Sequence, residues 1–373
     1  MQDTVKSTSN SSQVMYKQPK HPKAKKIYEN QKGFLYLLPA LIVLIVFTVY
    51  PLINTLILSF IEGYDSLQAS NPGFDLEFNI GFKNFAEVLG LRTGETNIPF
   101  ESWIHDVGQI LIGNNNNVEL VVSYQTELFW AGLRNTVVIV ALTVIPSVLI
   151  SLLVAVALNS IKPLQKFFQT VFFLPYLTNT LAIAAVFQIM FQSPDPNSVA
   201  GVQGLINNVV EFFGGTPIDW LGGTNYWASI AVVVIHSIWS GLAFKVLIIL
   251  GALQNVNKQC YDAAKIDGTS KGRVLRKITV PLISPMLAYL VVTGFIGAFK
   301  EYSAVLGLFN TGINNDMGTN NFMITIVGFI YQYIDGNFAG QYGMASAASF
   351  ILLVIIMIFT LINMQINKKK VHY

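Results

Sequence analysis

The sequence is poor in charge and nearly without cysteine. Only 12% of its 373 residues are Asp, Glu, Lys or Arg, against about 25% in soluble domains. That excludes an ordinary water-soluble globule. The one cysteine, Cys260, excludes an intramolecular disulfide. There is no GxxxxGK(S/T) loop, so the chain has no P-loop for ATP. HExxH and CxxC are also missing, and the four histidines (His21, His105, His236, His372) are scattered, suggesting no metal cluster. No enzyme signature is left. Energy for any pumping must come from a partner or an ion gradient. The net charge is +3, but the bases are segregated along the chain, and no nucleic-acid partner is expected.

What the sequence has instead is hydrophobic length. Hydrophobic residues make up 53% of the chain and fall in long uncharged runs. About 20 apolar residues suffice for the roughly 30 Å hydrocarbon core of a bilayer. The runs predict spans over 34–60, 128–160, 167–192, 226–251, 286–309 and 343–366. The fold class is therefore an all-α polytopic membrane protein with six transmembrane helices. Pro39, Pro51, Pro146 and Pro175 lie within spans, where neighbouring groups can satisfy the freed backbone.

Charge sets the orientation, because Lys and Arg resist translocation. Residues 1–33 hold seven lysines and two acids and read as a disordered cytoplasmic arm that touches anionic lipid. A cleaved signal peptide is excluded: the apolar run that follows is too long and lacks a small-residue cleavage site. The loop 61–128 has ten acids against two bases, Lys83 and Arg92, and belongs outside. Its stretch 91–127 reads as an insertion, either a tolerated surface or a platform for a delivery protein. Loops 193–225 and 310–340 contain no Lys or Arg and lie outside as well; within the latter, ITIVGFIYQYI at 324–334 fits an interfacial segment. Eighteen of the 23 Lys and Arg then fall on inner segments and two in outer loops. Both termini are cytoplasmic, and the chain divides into the arm 1–33, a six-span body 34–366 and a tail 367–373.

The most informative stretch is the basic loop within 252–285, VNKQCYDAAKIDGTSKGRVLRKITVPLISP over 256–285. Six Lys and Arg face two acids, Asp262 and Asp267, so the loop is cytoplasmic. Tyr261 to Ile266 favours helix. Asp267-Gly268 reads as its stop, because glycine takes the left-handed conformation cheaply. A second turn follows from Lys271 to Ile278, and Pro281 and Pro285 limit how far it runs. Such a loop is preformed and can transmit force.

This segment resembles the EAA loop of ABC-importer permeases, most closely the carbohydrate-uptake branch related to maltose and glycerol-phosphate permeases. The resemblance rests on Asp262-Ala263-Ala264, Asp267-Gly268, Ile278 and Pro281, with Asp262 and Thr269 standing where the family usually has Glu and Ala. LLPA…YPLxxTxxLSF in the first span and IGFKNFAEVL at 80–89 are similar to that branch too. The resemblance covers roughly 34–366 apart from 91–127. It implies a type I ABC importer permease fold in a bacterial-type cell membrane. It also implies that Tyr261, Asp262, Ala263, Ala264, Asp267, Gly268, Ile278 and Pro281 form a coupling helix seated on a dimeric ABC ATPase, which holds the ATP and Mg. A second homologous permease and an extracytoplasmic solute-binding protein complete the implied assembly. No cofactor or metal is expected in this chain.

A charge in mid-membrane costs about 2.5–3.5 kcal/mol on insertion scales, so it faces a bundle interior or a watery cavity. Lys300 and Glu301 lie deep in the fifth span and are candidates for the translocation path, or else form a structural ion pair. Lys245 is near an inner end, and we expect its ammonium to snorkel there. Asn179, Trp239, Phe299 and Tyr302 have the hydrogen-bonding and ring chemistry that a sugar requires, although packing and interfacial anchoring account for such residues as well. The function expected is a permease subunit that imports a carbohydrate or related polar solute. The alternative is an ion-driven secondary transporter, which predicts inverted repeats and intramembrane carboxylates. Glu301 is the one carboxylate clearly inside a span, and no second half mirrors the first.

Overall fold

The computed structural model describes residues 36–62, 64, 79–90, 124–161, 167, 169–171, 176–193, 203–309, 323–335 and 340–370. The arm 1–33, most of the stretch 91–127, residues 162–166, Pro175 and the end of the tail lie outside the described residues. The chain divides into two compact units, Met1–Asn54 and Thr55–Tyr373. The described part of the first is apolar helix, the beginning of α1 (Tyr36–Phe60). A π-helical turn at Ile45–Val49 ends two residues before Pro51, with Tyr50 N–H donating to Ile45 O. Proline clashes with the carbonyl four residues back, and the wider turn relieves that crowding.

In the second unit, α1 leads into a two-residue strand β1 (Ile61–Glu62), paired antiparallel with β2 (Asn79–Ile80). A short helix α2 (Lys83–Leu89) follows. The long helix α3 (Tyr124–Ser160) is the spine of the unit. Its first half packs with α2, α11 (Ile326–Ile334) and α12 (Tyr342–Lys370) around Phe129, Phe329 and Tyr333. Its Ile139 joins a second cluster with α4 (Thr180–Met190) and the first half of α6 (Tyr226–Gln254). Its second half packs with the end of α6 and the start of α9 (Ser284–Phe299). Pro146 is accommodated within α3.

Between α4 and α6 stands α5 (Leu205–Phe212), a helix that the Pro, Gly and Asn content of 193–225 did not announce. It is pinned by one fully buried side chain. Asn207 Nδ2 donates to Gln192 O (3.3 Å) and Ile218 O (3.0 Å), and its Oδ1 accepts from Ile218 N (3.0 Å) and Trp220 Nε1 (2.9 Å). Four donors also converge on Asp219: Ser193 Oγ (2.9 Å), Gly222 N (2.8 Å), Thr224 N (3.3 Å) and Thr224 Oγ1 (2.7 Å). Burial alone would raise this carboxyl; the hydrogen bonds from Thr224, Gly222 and Ser193 outweigh it and hold the carboxyl below its usual range.

Among the described residues, four helices are long and apolar enough to cross a membrane: α1, α3 from Leu128, α6, and α12 to Ile366. A bent pair adds up to one more: α8 (Lys271–Leu282) and α9, at 71°. The predicted third span is described as continuous helix only over α4. The predicted fifth span, 286–309, is not one helix. It stops at Phe299 and resumes as α10 (Ser303–Phe309), because the polar residues Lys300, Glu301 and Tyr302 occupy the break. In 324–334, Ile326, Phe329 and Tyr333 are fully buried in the first cluster, while Tyr331 and Ile334 are exposed.

Candidate functional site

The basic loop folds into two helices. The first, α7 (Lys258–Ile266), starts three residues before the predicted helix because Asn257 caps it, its Oδ1 accepting from Gln259 N at 3.0 Å. Its end closes as the Asp-Gly pair predicts. Gly268 sits at φ +64°, its N–H bonds Lys265 O (3.2 Å), and Thr269 N–H bonds Ala264 O (3.0 Å). These two bonds make a Schellman motif, which satisfies carbonyls that a helix end leaves open.

The second helix, α8, runs four residues past the predicted end at Ile278 and stops at Leu282, between Pro281 and Pro285. A π-helical turn at Leu275–Thr279 again ends two residues before the proline, and the helix runs on to Leu282. Ile278 lies in that turn and Pro281 just beyond it. The two helices are joined by Tyr261 Oη and Thr279 Oγ1, 3.3 Å apart. Ala264 faces inward and is buried, while Asp262, Ala263, Lys265 and Asp267 are exposed. So is Ile266, at 88%. It is the most open large hydrophobic side chain among the described residues. Its signal in the sequence is an apolar residue directly before the Asp-Gly stop of a basic loop.

The residues predicted for the path are spread over three places. Asn179 caps α4, its Oδ1 accepting from Leu181 N at 2.9 Å. Trp239, on α6, is 42% exposed and packs against Phe187 at 5.6 Å between ring centres. Phe299 ends α9, Lys300 to Tyr302 form the break before α10, and α10 packs on α4. Phe299 is fully buried against Phe359, at 5.2 Å, and presents no open ring face. Lys300 is exposed. Glu301 Oε1 accepts from Ala304 N (3.1 Å), so this carboxylate caps α10. Tyr302 lies 5.0 Å from the Tyr331 ring, and its buried hydroxyl has no partner among the described residues.

Two intramembrane groups depart from what the sequence suggested. Lys245 does not reach for the inner end of α6. Its ammonium lies back over Gly241, where an added Cβ would come within 2.7 Å of Nζ. Side chains on a helix lean toward its N-terminus, and Gly241 leaves the room. His236, read as one of four scattered histidines, is fully buried edge-on to Phe187 (5.2 Å), with neither ring nitrogen partnered among the described residues. A lone histidine in the middle of an apolar run was the signal available.

The Arg134-Asn135-Thr136 segment also acquires a role. Asn135 is fully buried, its Nδ2 donating to Ile324 O (2.9 Å) and its Oδ1 accepting from Tyr226 Oη (3.0 Å). Thr136 Oγ1 accepts from Ile326 N at 3.0 Å, and Arg134 lies 5.0 Å from the Tyr226 ring centre. One turn of α3 thus ties the start of α6 to the start of α11.

The chain is similar to known proteins. Residues 129–372 match the family described as binding-protein-dependent transport system inner membrane component. The chain is 24% identical to the lactose transport system permease protein LacF of Rhizobium radiobacter, over 92% of this chain and 97% of that one. It is 26% identical to the sn-glycerol-3-phosphate transport system permease protein UgpA of Salmonella typhimurium, over 91% and 95%. The arabinooligosaccharides transport system permease protein AraP of Halalkalibacterium halodurans is 28% identical, over 64% and 71%. A bacterial alginate ABC transporter, solved with an alginate pentasaccharide-bound periplasmic protein, contains a chain of the same fold, with a TM-score of 0.63 at 18% identity over 91% and 94%. Family match, fold and basic loop agree: the chain is a membrane permease belonging to the binding-protein-dependent transport system inner membrane components.

Proposed function

We propose that this permease is one of two homologous membrane subunits of an ATP-driven importer for a carbohydrate or related polar solute. A dimeric ABC ATPase binds Mg-ATP beneath it and a solute-binding protein delivers substrate from outside. The arm 1–33 and the tail 367–373 lie in the cytoplasm, and residues 34–366 form the six-span permease domain. The observation that carries this is α7: a helix with both ends fixed, held to α8, that leaves Ile266 and its acidic and basic neighbours open.

A push on α7 has a short route into the bundle. Tyr261 hands it to α8 at Thr279. The bend at Ile283 turns it into α9, which runs to the break at Lys300, Glu301 and Tyr302. Tyr302 touches Tyr331 of α11. A 16-residue helix transmits displacement as a rigid rod, about 24 Å at 1.5 Å per residue. The break at its far end, with an exposed Lys300 and half-buried Glu301 and Tyr302, is where such a displacement would open or close a polar path.

The test is uptake by proteoliposomes holding this chain, a second permease and the ATPase, with binding protein and labelled carbohydrate outside. Accumulation that requires ATP and all four components supports the assignment. Accumulation by this chain alone, driven by a proton or sodium gradient, overturns it.

A further inference from the structure

The helix α5 divides into three sectors. Ile206, Asn207 and Val210 point into the protein, buried or half-buried. Asn208 and Glu211 are exposed and polar. Leu205, Val209 and Phe212 are exposed and apolar, at spacings of four and three that put them on one face. Phe213, just past the helix end, extends that face. Phe212 and Phe213 are 85% and 81% exposed.

The height of α5 is fixed by its bonds. Gly204, its N-cap, donates to Gln192 O at 3.0 Å, and a Cβ there would lie 2.5 Å from Met190 O. The helix therefore starts directly against the end of α4. Asn207 binds Gln192 O and Trp220 Nε1, while Trp220 O accepts from Ser229 Oγ in the first turn of α6 at 2.7 Å. Both neighbouring helices end at this level, and both carry exposed apolar side chains there: Ile189 and Trp227, each 65% exposed. A short helix fixed at the ends of the apolar helices α4 and α6, with adjoining apolar and polar exposed sectors, suits an interfacial position. Aromatic rings are the side chains that belong at that depth.

We infer that α5 is a membrane-surface anchor, with Leu205, Val209, Phe212 and Phe213 immersed at the headgroup–acyl boundary of the outer leaflet. Charge plays no part in this contact, since 193–225 contains no Lys or Arg and the acid Glu211 stands off the apolar face. The immersed face holds the frame around Asn207 at constant depth while the rest of the permease moves.

Nitroxide labels at Val209→Cys and Phe212→Cys, compared with Asn208→Cys and Glu211→Cys, test this in the assembled transporter reconstituted in phosphatidylcholine vesicles. The signal of the parent protein, labelled at Cys260, is subtracted. The expected result is a severalfold higher ratio of oxygen to nickel-chelate collisions at 209 and 212 than at 208 and 211. Equal, chelate-accessible labels at all four positions would overturn the inference, because the face would then lie in water. Suppression of both collisions at 209 and 212 would overturn it too, by showing a protein partner on that face. Two independent positions on the apolar face keep the test decisive if one variant does not assemble.

Discussion

Two loops of this permease, one basic and one without Lys or Arg, are built on opposite principles. In 203–225 two polar side chains do the holding. Asn207 and Asp219 each gather four hydrogen bonds, so the loop is a frame in which most parts have one position. In 255–283 the backbone does the holding. An Asn cap, a Schellman end and a π-turn define two helices, and the charged side chains stay free on the surface. On the roles proposed above, a loop gripped by an ATPase would keep its side chains available, and a loop that sets a depth would use its side chains up. The contrast can be attacked from either side.

The largest effect is expected at Gly268. Proline there can neither reach φ +64° nor donate to Lys265 O, so the end of α7 must open. Gly268→Pro should lower ATP-driven uptake by about tenfold or more if α7 couples the ATPase to transport as proposed, since the end of α7 is no longer defined. Asp262→Lys, which reverses an exposed charge on the same helix, should uncouple by less. Membrane insertion, measured by protease protection, should be unchanged in both. Wild-type uptake in Gly268→Pro would remove the basis for treating the basic loop as the coupling element.

Next comes Ile266. Burying an exposed isoleucine at an interface is worth about 1.5–3 kcal/mol, so Ile266→Asp should weaken retention of the ATPase by roughly tenfold or more. The thermal stability of the isolated permease should stay as it is. Co-purification against increasing detergent stringency reads the first, and a melting curve the second. A melting temperature that falls while ATPase retention holds would mean that Ile266 serves the fold.

Asn207→Ala should do the reverse. It strips the partners from Ile218 N, Trp220 Nε1 and two carbonyls. Unpartnered buried groups of this kind destabilise by roughly 2–4 kcal/mol in total. We expect a lower melting temperature for the permease with ATPase retention unaltered. If the ATPase were lost and the melting temperature kept, the division of labour between the two loops would be reversed.

Why one loop was legible in the sequence and the other was not follows from how each is held. Backbone devices have local signatures. Asp267-Gly268 announces a helix end by itself, and the positions of Tyr261 to Ile266 were predicted to within three residues at one end. The long apolar runs gave α3, α6 and α12 for the same reason, since hydrophobic length is a local property. Asn207 carries no such signature, because its four partners stand 11 to 15 residues away and its role exists only once the loop has closed. Asn135 is the extreme case, bonded to a carbonyl 189 residues distant. Proline was legible in part. Pro281 and Pro285 limit the second helix, which stops at Leu282, whereas nothing in the sequence announced the π-turn that carries it past Pro281. The break at Lys300 was half visible: the sequence showed charges that do not belong in mid-span, and the structure shows that Glu301 is used to cap the helix that follows.

The smallest effect is the pH dependence of the frame. Asp219 has a lower pKa when folded than its ordinary value of 3.8, because its hydrogen bonds favour the carboxylate. The unfolded loop therefore takes up a proton first. The contribution of Asp219 is complete above 3.8 and fades only as the pH falls through the lower folded value. Hydrogen exchange in 215–225, corrected for the intrinsic rate, should show constant protection between about pH 7 and 5 and a loss only in more acid solution. Asp219→Asn should make protection weaker at Gly222 and Thr224 and insensitive to acid, because an amide keeps one acceptor and cannot titrate. Protection that already declines between about pH 7 and 5 in the wild type would show that some other group holds the frame. The basic loop, held by backbone bonds, should exchange without any such transition, and the two loops would then differ in pH response as they differ in construction.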